Sequence, residues 1–182
     1  EQLGKKPGHR PDPDAPWTWL RTDPMFAAFY RAQTGGYVVG GTVWDFTNAK
    51  RLPGDPLDLL VVDEAGQFAL ANTVAVSGAA RNLLLLGDPQ QLPQVSQGRH
   101  PEPIDGSALG WLTDGHDTLP ADLGYFLART WRMHPDLCVA VSHLSYEDRL
   151  TSMPCTAERS LDGVTPGVHS IAVGHVGNAV AS

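Results

Sequence analysis

Two runs of aliphatic residues dominate the pattern of hydrophobic and polar positions along the chain. The first run covers residues 57–62, with Asp58 as its one polar residue, and stops at Asp63 and Glu64. The second run covers residues 82–86, in which four leucines follow Asn82, and stops at Gly87. Turn-forming residues bound both runs, which is typical of strands that are buried on both faces of a parallel sheet. We therefore predict two buried strands, each followed by a polar loop.

The segment between these runs predicts how the strands are connected. Residues 68–80 carry apolar side chains at helical spacing, namely Phe68, Ala71, Val74 and Ala75. A helix of this length suffices for the crossover that joins two parallel strands. The acids after the first strand and the amides Gln90 and Gln91 after the second are then expected at one sheet edge. That edge is where open α/β sheets bind ligands.

Weaker patterns before the first run predict three further features. Residues 1–16 are polar and rich in proline, so we expect an irregular lead-in. The apolar spacing in residues 17–33 predicts a helix with Asp23 as its cap and Pro24 in its first turn. Its aromatic residues are expected in the core. A short β-branched strand is predicted at residues 37–42.

The later part of the chain predicts shorter elements separated by loops. In chain order these are a helix around residues 107–112, an extended stretch at 125–131, a helix beginning at Pro135, and at most one more strand at 170–173. In the Pro135 helix, Leu137, Val141 and Leu144 are expected to share a face. Cys138, beside that face, is expected to be an inert buried thiol.

Composition limits the class of protein. The 182 residues carry 13 Lys and Arg against 20 Asp and Glu, so the net charge is −7 and a globally basic nucleic-acid surface is not expected, although a local basic groove is compatible with it. Cys138 and Cys155 lack redox or metal-ligand spacing, which favours a reducing cytoplasm. The histidines show no zinc-ligand spacing either. With no signal peptide or membrane-length apolar stretch in the sequence, a cytoplasmic chain without membrane contact is expected.

The carboxylate pair after the first run has two interpretations. An Asp at a strand end followed by Glu is what nucleoside triphosphate hydrolysis requires, with one carboxylate for Mg²⁺ and one for the attacking water. The same pair could instead cap the next helix, because acids are favoured near the positive end of a helix dipole. The dipeptide by itself does not choose between these interpretations.

Three motifs resemble a known family when taken together. They are Asp63-Glu64-Ala65-Gly66-Gln67, Gly87-Asp88-Pro89-Gln90-Gln91-Leu92-Pro93 and Trp131-Arg132-Met133-His134-Pro135. In order and residue type they resemble motifs II, III and IV of superfamily 1 helicases. The amino-acid sequences of the three motifs are most similar to the helicase part of bacterial proteins that join a RecB-like nuclease to such a helicase. The resemblance covers about residues 37–150.

This resemblance implies an α/β fold, namely part of a RecA-like P-loop NTPase domain with a parallel sheet. It divides the chain into a lead-in and helix at residues 1–36, the later half of a first RecA-like lobe at 37–123, and the start of a second lobe at 124–182. The implied cofactors are ATP and Mg²⁺. The implied partners are nucleic acid, with DNA favoured over RNA, and the rest of a parent chain that carries the P-loop and can include a nuclease domain.

The resemblance also implies roles for individual residues. Asp63 would hold Mg²⁺, mostly through water, and Glu64 would activate the attacking water. Gln91 would contact the γ-phosphate, with Gln67 supporting the same site. Arg132 would reach the γ-phosphate from the second lobe, where a guanidinium suits phosphate oxygens better than an ammonium does.

Two residues upstream fall where related helicases contact the nucleic-acid strand. Thr42 and Trp44 are therefore candidate contacts with nucleic acid, and Trp44 could stack on a base. Packing in the core would account equally well for the aromatic side chain.

The chain departs from the family pattern at the phosphate-binding loop. No Gly-x-x-x-x-Gly-Lys-Ser/Thr occurs in the sequence, and motifs V and VI are also absent. We therefore expect a helicase fragment that is inactive by itself. Two rival functions remain open, namely a metal-dependent nuclease using Asp63, Glu64 and Asp88, and a non-catalytic interaction module.

Overall fold

The computed structural model of the protein describes residues 2–5, 14–52, 54–92, 98 and 100–174. The chain forms two compact units, Glu1–Gly115 and His116–Ser182. The lobe boundaries implied by the resemblance, after residues 36 and 123, stay predictions.

Short strands alternate with helices in the described part of the first unit. In chain order the elements are β1 (Gln2–Lys5), β2 (Thr18–Trp19), α1 (Asp23–Arg31), β3 (Tyr37–Gly40), α2 (Val43–Phe46), β4 (Leu57–Val62), α3 (Leu70–Ser77), β5 (Ala80–Leu85) and α4 (Ala108–Thr113). The second unit contains β6 (Arg129–Thr130), α5 (Pro135–Ser145), β7 (Thr151–Ser152) and a 3-10 helix (Pro154–Glu158).

All strand pairs in these elements are parallel. One sheet has the order β2-β1-β3, and β4-β5 and β6-β7 form two-stranded sheets. The fold is therefore mixed α/β with small parallel sheets, which confirms the predicted fold class at this level. Within the described part of the chain, no helix is both long and apolar enough to span a bilayer.

The first sheet corrects the prediction for the start of the chain. Gln2–Lys5 was expected to be irregular, yet β1 is the central strand and pairs with both β2 and β3. Residues 6–13 of the predicted lead-in lie outside the described residues. The aromatic side chains of α1 are in the core as expected, since Phe26 and Phe29 are buried together with Leu20. The N-cap of α1 is Thr22 rather than Asp23.

The sheet of β4 and β5 carries the second core. Its strands lie in register from Leu57 opposite Ala80 to Val62 opposite Leu85. Helix α3 provides the predicted crossover between them, although β5 begins at Ala80, two residues earlier than expected. Leu60 and Val62 of β4 are buried with residues that come from α3, α4 and the loop after β4, namely Val76, Leu109 and Ala65.

The prediction that both strands are buried on both faces is wrong. Alternate residues of a strand point to opposite faces. Leu59 and Val61, which alternate with the buried pair, are 49% and 47% exposed, and Leu84 opposite Val61 is 43% exposed. One face of β4 therefore packs on the core, and its other face presents aliphatic side chains to solvent.

The buried residues of helix α3 do not follow its apolar spacing. Val74 is 64% exposed, and the buried residues are Thr73 and Val76. Burial of Thr73 is possible because its hydroxyl donates to the backbone oxygen of Ala69 at 3.2 Å. The hydrophobic spacing alone could not reveal this, since it counts a buried threonine as polar.

The second unit is built around α5. This helix begins at Pro135 as predicted, and Cys138 is buried as a free thiol. Leu144 is exposed, whereas Ser142 is buried and its hydroxyl accepts from the backbone nitrogen of Leu150 at 2.9 Å. Of the predicted extended stretch at 125–131, only Arg129–Thr130 pairs as a strand, and residues 170–173 form no strand.

Candidate functional site

The loops that follow β4 and β5 leave the sheet side by side. Because the strands are parallel, both loops emerge at the same edge, as the sequence predicts. Pairing continues past the strands, since Leu86 N donates to Val62 O at 2.9 Å and Ala65 N donates to Leu86 O at 2.8 Å. The acidic loop after β4 and the amide-rich loop after β5 are therefore held together by backbone hydrogen bonds.

Two glycines allow these loops to approach closely. A Cβ atom on Gly66 would lie 1.8 Å from the backbone oxygen of Asp88, a distance that no side chain tolerates. A Cβ atom on Gly87 would lie 2.7 Å from the backbone nitrogen of Ala65, and Gly87 also has a positive φ of 156°. Only residues without a side chain fit at this contact.

A side-chain hydrogen bond joins the same loops. The Nε2 atom of Gln67 donates to Oε1 of Gln91 at 2.7 Å. Gln67 belongs to the motif that contains the acids, and Gln91 belongs to the motif that follows β5. Two residues that the resemblance assigns to one site are thus in direct contact.

The two acids stand at the exposed end of β4. Asp63 and Glu64 are both exposed, and Oδ1 of Asp63 accepts from the backbone nitrogen of Glu64 at 3.0 Å. Glu64 has a φ of 54°, in the left-handed region that a non-glycine residue occupies only at a cost. This backbone angle belongs to the residue for which the sequence predicts the most demanding chemical role.

The helix-cap interpretation of this acid pair is wrong. Helix α3 begins at Leu70, and its N-cap is Ala69. Asp63 and Glu64 lie in the preceding turn and are separated from the helix start by a full loop. They therefore do not cap the crossover helix.

Asp88 has a structural task in the second loop. Its Oδ1 atom accepts from the backbone nitrogen of Gln90 at 2.9 Å, and its backbone oxygen faces Gly66. Among the residues that the structure describes, no three His, Cys, Asp or Glu side chains come together as a possible metal site. The three-carboxylate arrangement on which the nuclease interpretation depends is absent from this set.

The donor chemistry of the acid loop fits a magnesium ion held by few protein ligands. Mg²⁺ prefers oxygen ligands, keeps several of its waters and is commonly held by one or two carboxylates together with substrate phosphates. The exposed carboxylate of Asp63 meets that requirement. The amide N–H groups of Gln67 and Gln91 are of the type that can donate to phosphate oxygens.

The upstream candidates Thr42 and Trp44 differ in their environment. The backbone nitrogen and hydroxyl of Thr42 both donate to Oδ2 of Asp45, at 2.8 Å and 2.7 Å. The only hydroxyl proton of Thr42 is thus committed to a buried carboxylate. Trp44, in contrast, is 77% exposed, so packing in the core does not account for it. Of the two, Trp44 has the accessible surface that base stacking requires.

The network around Asp45 is a feature that the sequence reasoning missed. Arg51 forms ion pairs with Asp23 and Asp45, and these hydrogen bonds raise the pKa of the guanidinium. The Thr42-x-x-Asp45 spacing, which resembles a capping box, is the signal that could have revealed it. This network fixes α2 and therefore the position of Trp44.

Arg132 belongs to the second unit. It is the second residue after β6, its side chain is exposed, and its backbone nitrogen donates to the hydroxyl of Thr130 at 3.1 Å. His134, two residues later, caps α5 by accepting from the backbone nitrogen of Asp136 at 3.2 Å. The third motif is therefore a turn between a strand and a helix that holds Arg132 at the surface.

A cavity of about 270 Å³ lies at the opposite end of β4 and β5 from the acid loops. It is lined by Ala49, Leu52, Gly54, Asp55, Pro56, Gly78 and Ala79. Asp55 is the only titratable residue among these, so the cavity offers less chemistry than the two motif loops.

Neither protein-family models nor curated protein sequences contain a match to this chain.

Proposed function

We propose that this chain is part of an ATP-dependent helicase or translocase of superfamily 1 and carries its hydrolytic acids. The observation that supports this most strongly is the joining of the two motif loops at one sheet edge. There, the loop of Asp63 and Glu64 is hydrogen-bonded to the loop of Gln91 through Gln67, at 2.7 Å. The RecA-like assignment of the sheet is part of the same proposal.

Each residue of the site has a task that suits its side chain. Asp63 would hold Mg²⁺, mostly through water, and the ion would supply charge neutralisation at the phosphate oxygens. Glu64 would orient the attacking water and accept its proton. Gln91 donates a hydrogen bond to the γ-phosphate.

Arg132 completes the proposed chemistry from the second unit. Its guanidinium would stabilise charge that develops on the transferred phosphoryl group, a contribution of about 10³ to 10⁵ in rate for such arginines. Nucleic acid would be the substrate on which the released energy acts, with DNA favoured over RNA. Trp44 is the candidate for stacking on a base.

The 182-residue chain should not hydrolyse ATP at a useful rate by itself. The phosphate-cradling loop, with its lysine and its Mg²⁺-binding hydroxyl, does not occur in the sequence. In the proposal, another segment of a parent protein supplies that loop. The unpacked face of the β4-β5 sheet supports this view, because parallel sheets are normally covered on both faces.

Glu64→Gln in the parent protein provides the test. The amide keeps the size of the side chain but cannot accept the proton, so we expect kcat to fall at least 100-fold while the Kd for ATP changes less than threefold. Steady-state ATPase kinetics and equilibrium titration with a fluorescent ATP analogue measure the two quantities. Glu158→Gln, at an exposed position of the second unit, is the matched control and should leave both unchanged.

Other outcomes would favour different functions. Robust Mg²⁺-dependent ATP turnover by the 182-residue chain, abolished by Glu64→Gln, would contradict the fragment proposal. Mn²⁺-dependent cleavage of DNA without ATP would favour the nuclease. A parent protein that neither binds nor hydrolyses ATP would favour the interaction module.

A further inference from the structure

The hydrogen bond between Gln67 and Gln91 has a direction, and that direction matters for a phosphate ligand. Nε2 of Gln67 is the donor and Oε1 of Gln91 is the acceptor, at 2.7 Å. A primary amide carries its acceptor oxygen and its two N–H donors on opposite corners of one plane. With its oxygen turned towards Gln67, Gln91 turns its NH₂ group away from Gln67.

Both glutamines are anchored to the turns that carry the candidate chemistry. The backbone nitrogen of Gln67 donates to the backbone oxygen of Glu64 at 2.8 Å, and that of Gln91 donates to the backbone oxygen of Asp88 at 3.3 Å. The close contact of Gly66 with Asp88 fixes one turn against the other. The backbone of Gln91 is therefore held at a defined place relative to that of Glu64, and the hydrogen bond to Gln67 is the contact that orients its amide.

We propose that Gln67 is a positioning residue that sets the orientation of the Gln91 amide, so that Gln91 presents N–H donors to the γ-phosphate. This inference rests on the proposed function. It adds that Gln67 determines which end of the Gln91 amide faces the phosphate. A phosphate oxygen can only accept, so the opposite orientation would place the Gln91 oxygen against a negative charge. Gln67 would then decide whether the site favours a nucleoside triphosphate over a diphosphate.

Gln67→Glu reverses the polarity with almost no change of shape. A carboxylate cannot donate, so it retains the hydrogen bond only if the Gln91 amide turns and donates to it. In the parent protein we expect this variant to bind a non-hydrolysable ATP analogue at least 10-fold more weakly, beyond any loss for ADP. ADP lacks the γ-phosphate and reports only the effect of the added charge.

Three further variants separate orientation from charge and from structure. Gln67→Met removes the hydrogen bond without adding charge and should weaken ATP-analogue binding about threefold, with ADP binding unchanged. Gln90→Glu adds the same charge in the neighbouring loop and measures its effect alone. In the background of Gln91→Ala, Gln67→Glu should have no further selective effect, because the amide that it orients is gone.

The outcomes distinguish this inference from the proposed function. If the wild-type parent hydrolyses ATP and Gln67→Glu weakens ATP-analogue and ADP binding equally, the positioning role is wrong while the helicase proposal stands. The same conclusion follows if the loss persists in full in the Gln91→Ala background. If the wild-type parent neither binds nor hydrolyses ATP, both proposals fall together.

Discussion

Among the described glycines, Gly66 has the least room for an added Cβ atom. Gly66→Ala would place a methyl group 1.8 Å from the backbone oxygen of Asp88, so one of the two loops must move. We expect a loss of about 1–3 kcal/mol in the free energy of unfolding. Urea denaturation of the 182-residue chain measures it. Gly78→Ala is the control, since nothing lies within 4 Å of the added Cβ and φ is −69°; equal losses would mean that the loops are not in contact.

Tyr30 gives the chain a measurable pH dependence. Burial, with further contributions from Tyr37 and Asp45, raises the pKa of its phenol from 10.0 to about 12. The folded state therefore favours the protonated phenol, and this stabilisation is complete below pH 10 and is lost as the pH rises through about 12. Tyr30→Phe removes the titrating group, so its unfolding midpoint in urea should decline less steeply between pH 10 and 12. Identical slopes for both proteins would contradict the pKa shift.

Individual polar residues explain several errors of the sequence-based predictions. Thr73, Ser142 and Thr156 are buried because each hydroxyl bonds to a nearby backbone group, at 3.2 Å, 2.9 Å and 2.8 Å. A hydrophobic pattern treats such residues as solvent-facing and so does not reveal that Thr73 of α3 and Ser142 of α5 are buried. Local hydrogen bonds of this kind are decided by backbone geometry, which the pattern does not contain.

At the scale of elements, long apolar runs were predicted well and short polar strands were not. The bounds of β4 and the parallel pairing with β5 follow from two aliphatic runs separated by a crossover segment. β1 was missed because Gln2-Leu3-Gly4-Lys5 has neither an apolar run nor a clear alternation. Its place in the centre of a sheet depends on β2 and β3, which lie more than ten residues away along the chain.

The two faces of β4 provide a matched pair of substitutions. Val61 and Val62 are neighbours of the same type, 47% and 7% exposed. In the 182-residue chain, Val62→Ser should cost about 2–4 kcal/mol, because it leaves a small cavity and buries a hydroxyl. Val61→Ser should cost less than about 1 kcal/mol. Chemical denaturation of both variants measures the difference, and equal costs would mean that both faces of β4 are covered in solution.

For the whole molecule, the sequence predicted that the two motif loops lie together, but it did not predict the sheet that carries them. Gln67 and Gln91 are in contact as the motifs suggested, while the acids stand on a sheet of only two strands. The motifs predict the neighbouring loops because they depend on loop residues of a few types. Sheet size depends on segments that no local pattern identifies, and the role proposed for Arg132 requires the second unit as well.

The exposed face of β4 allows the proposed parent protein to be compared with the 182-residue chain through the stability cost of one substitution. If the parent covers the face that contains Leu59, Val61 and Leu84, Val61→Ser there must remove buried apolar contacts that the 182-residue chain does not have. We therefore expect its cost to rise from less than about 1 kcal/mol in the chain to about 2–4 kcal/mol in the parent, while the cost of Val62→Ser stays the same. Hydrogen exchange of the β4 backbone amides measures the free energy of unfolding of both variants, in the 182-residue chain and in the parent. An unchanged cost for Val61→Ser in the parent would mean that this face remains open there, and the unpacked face would then no longer support the fragment proposal.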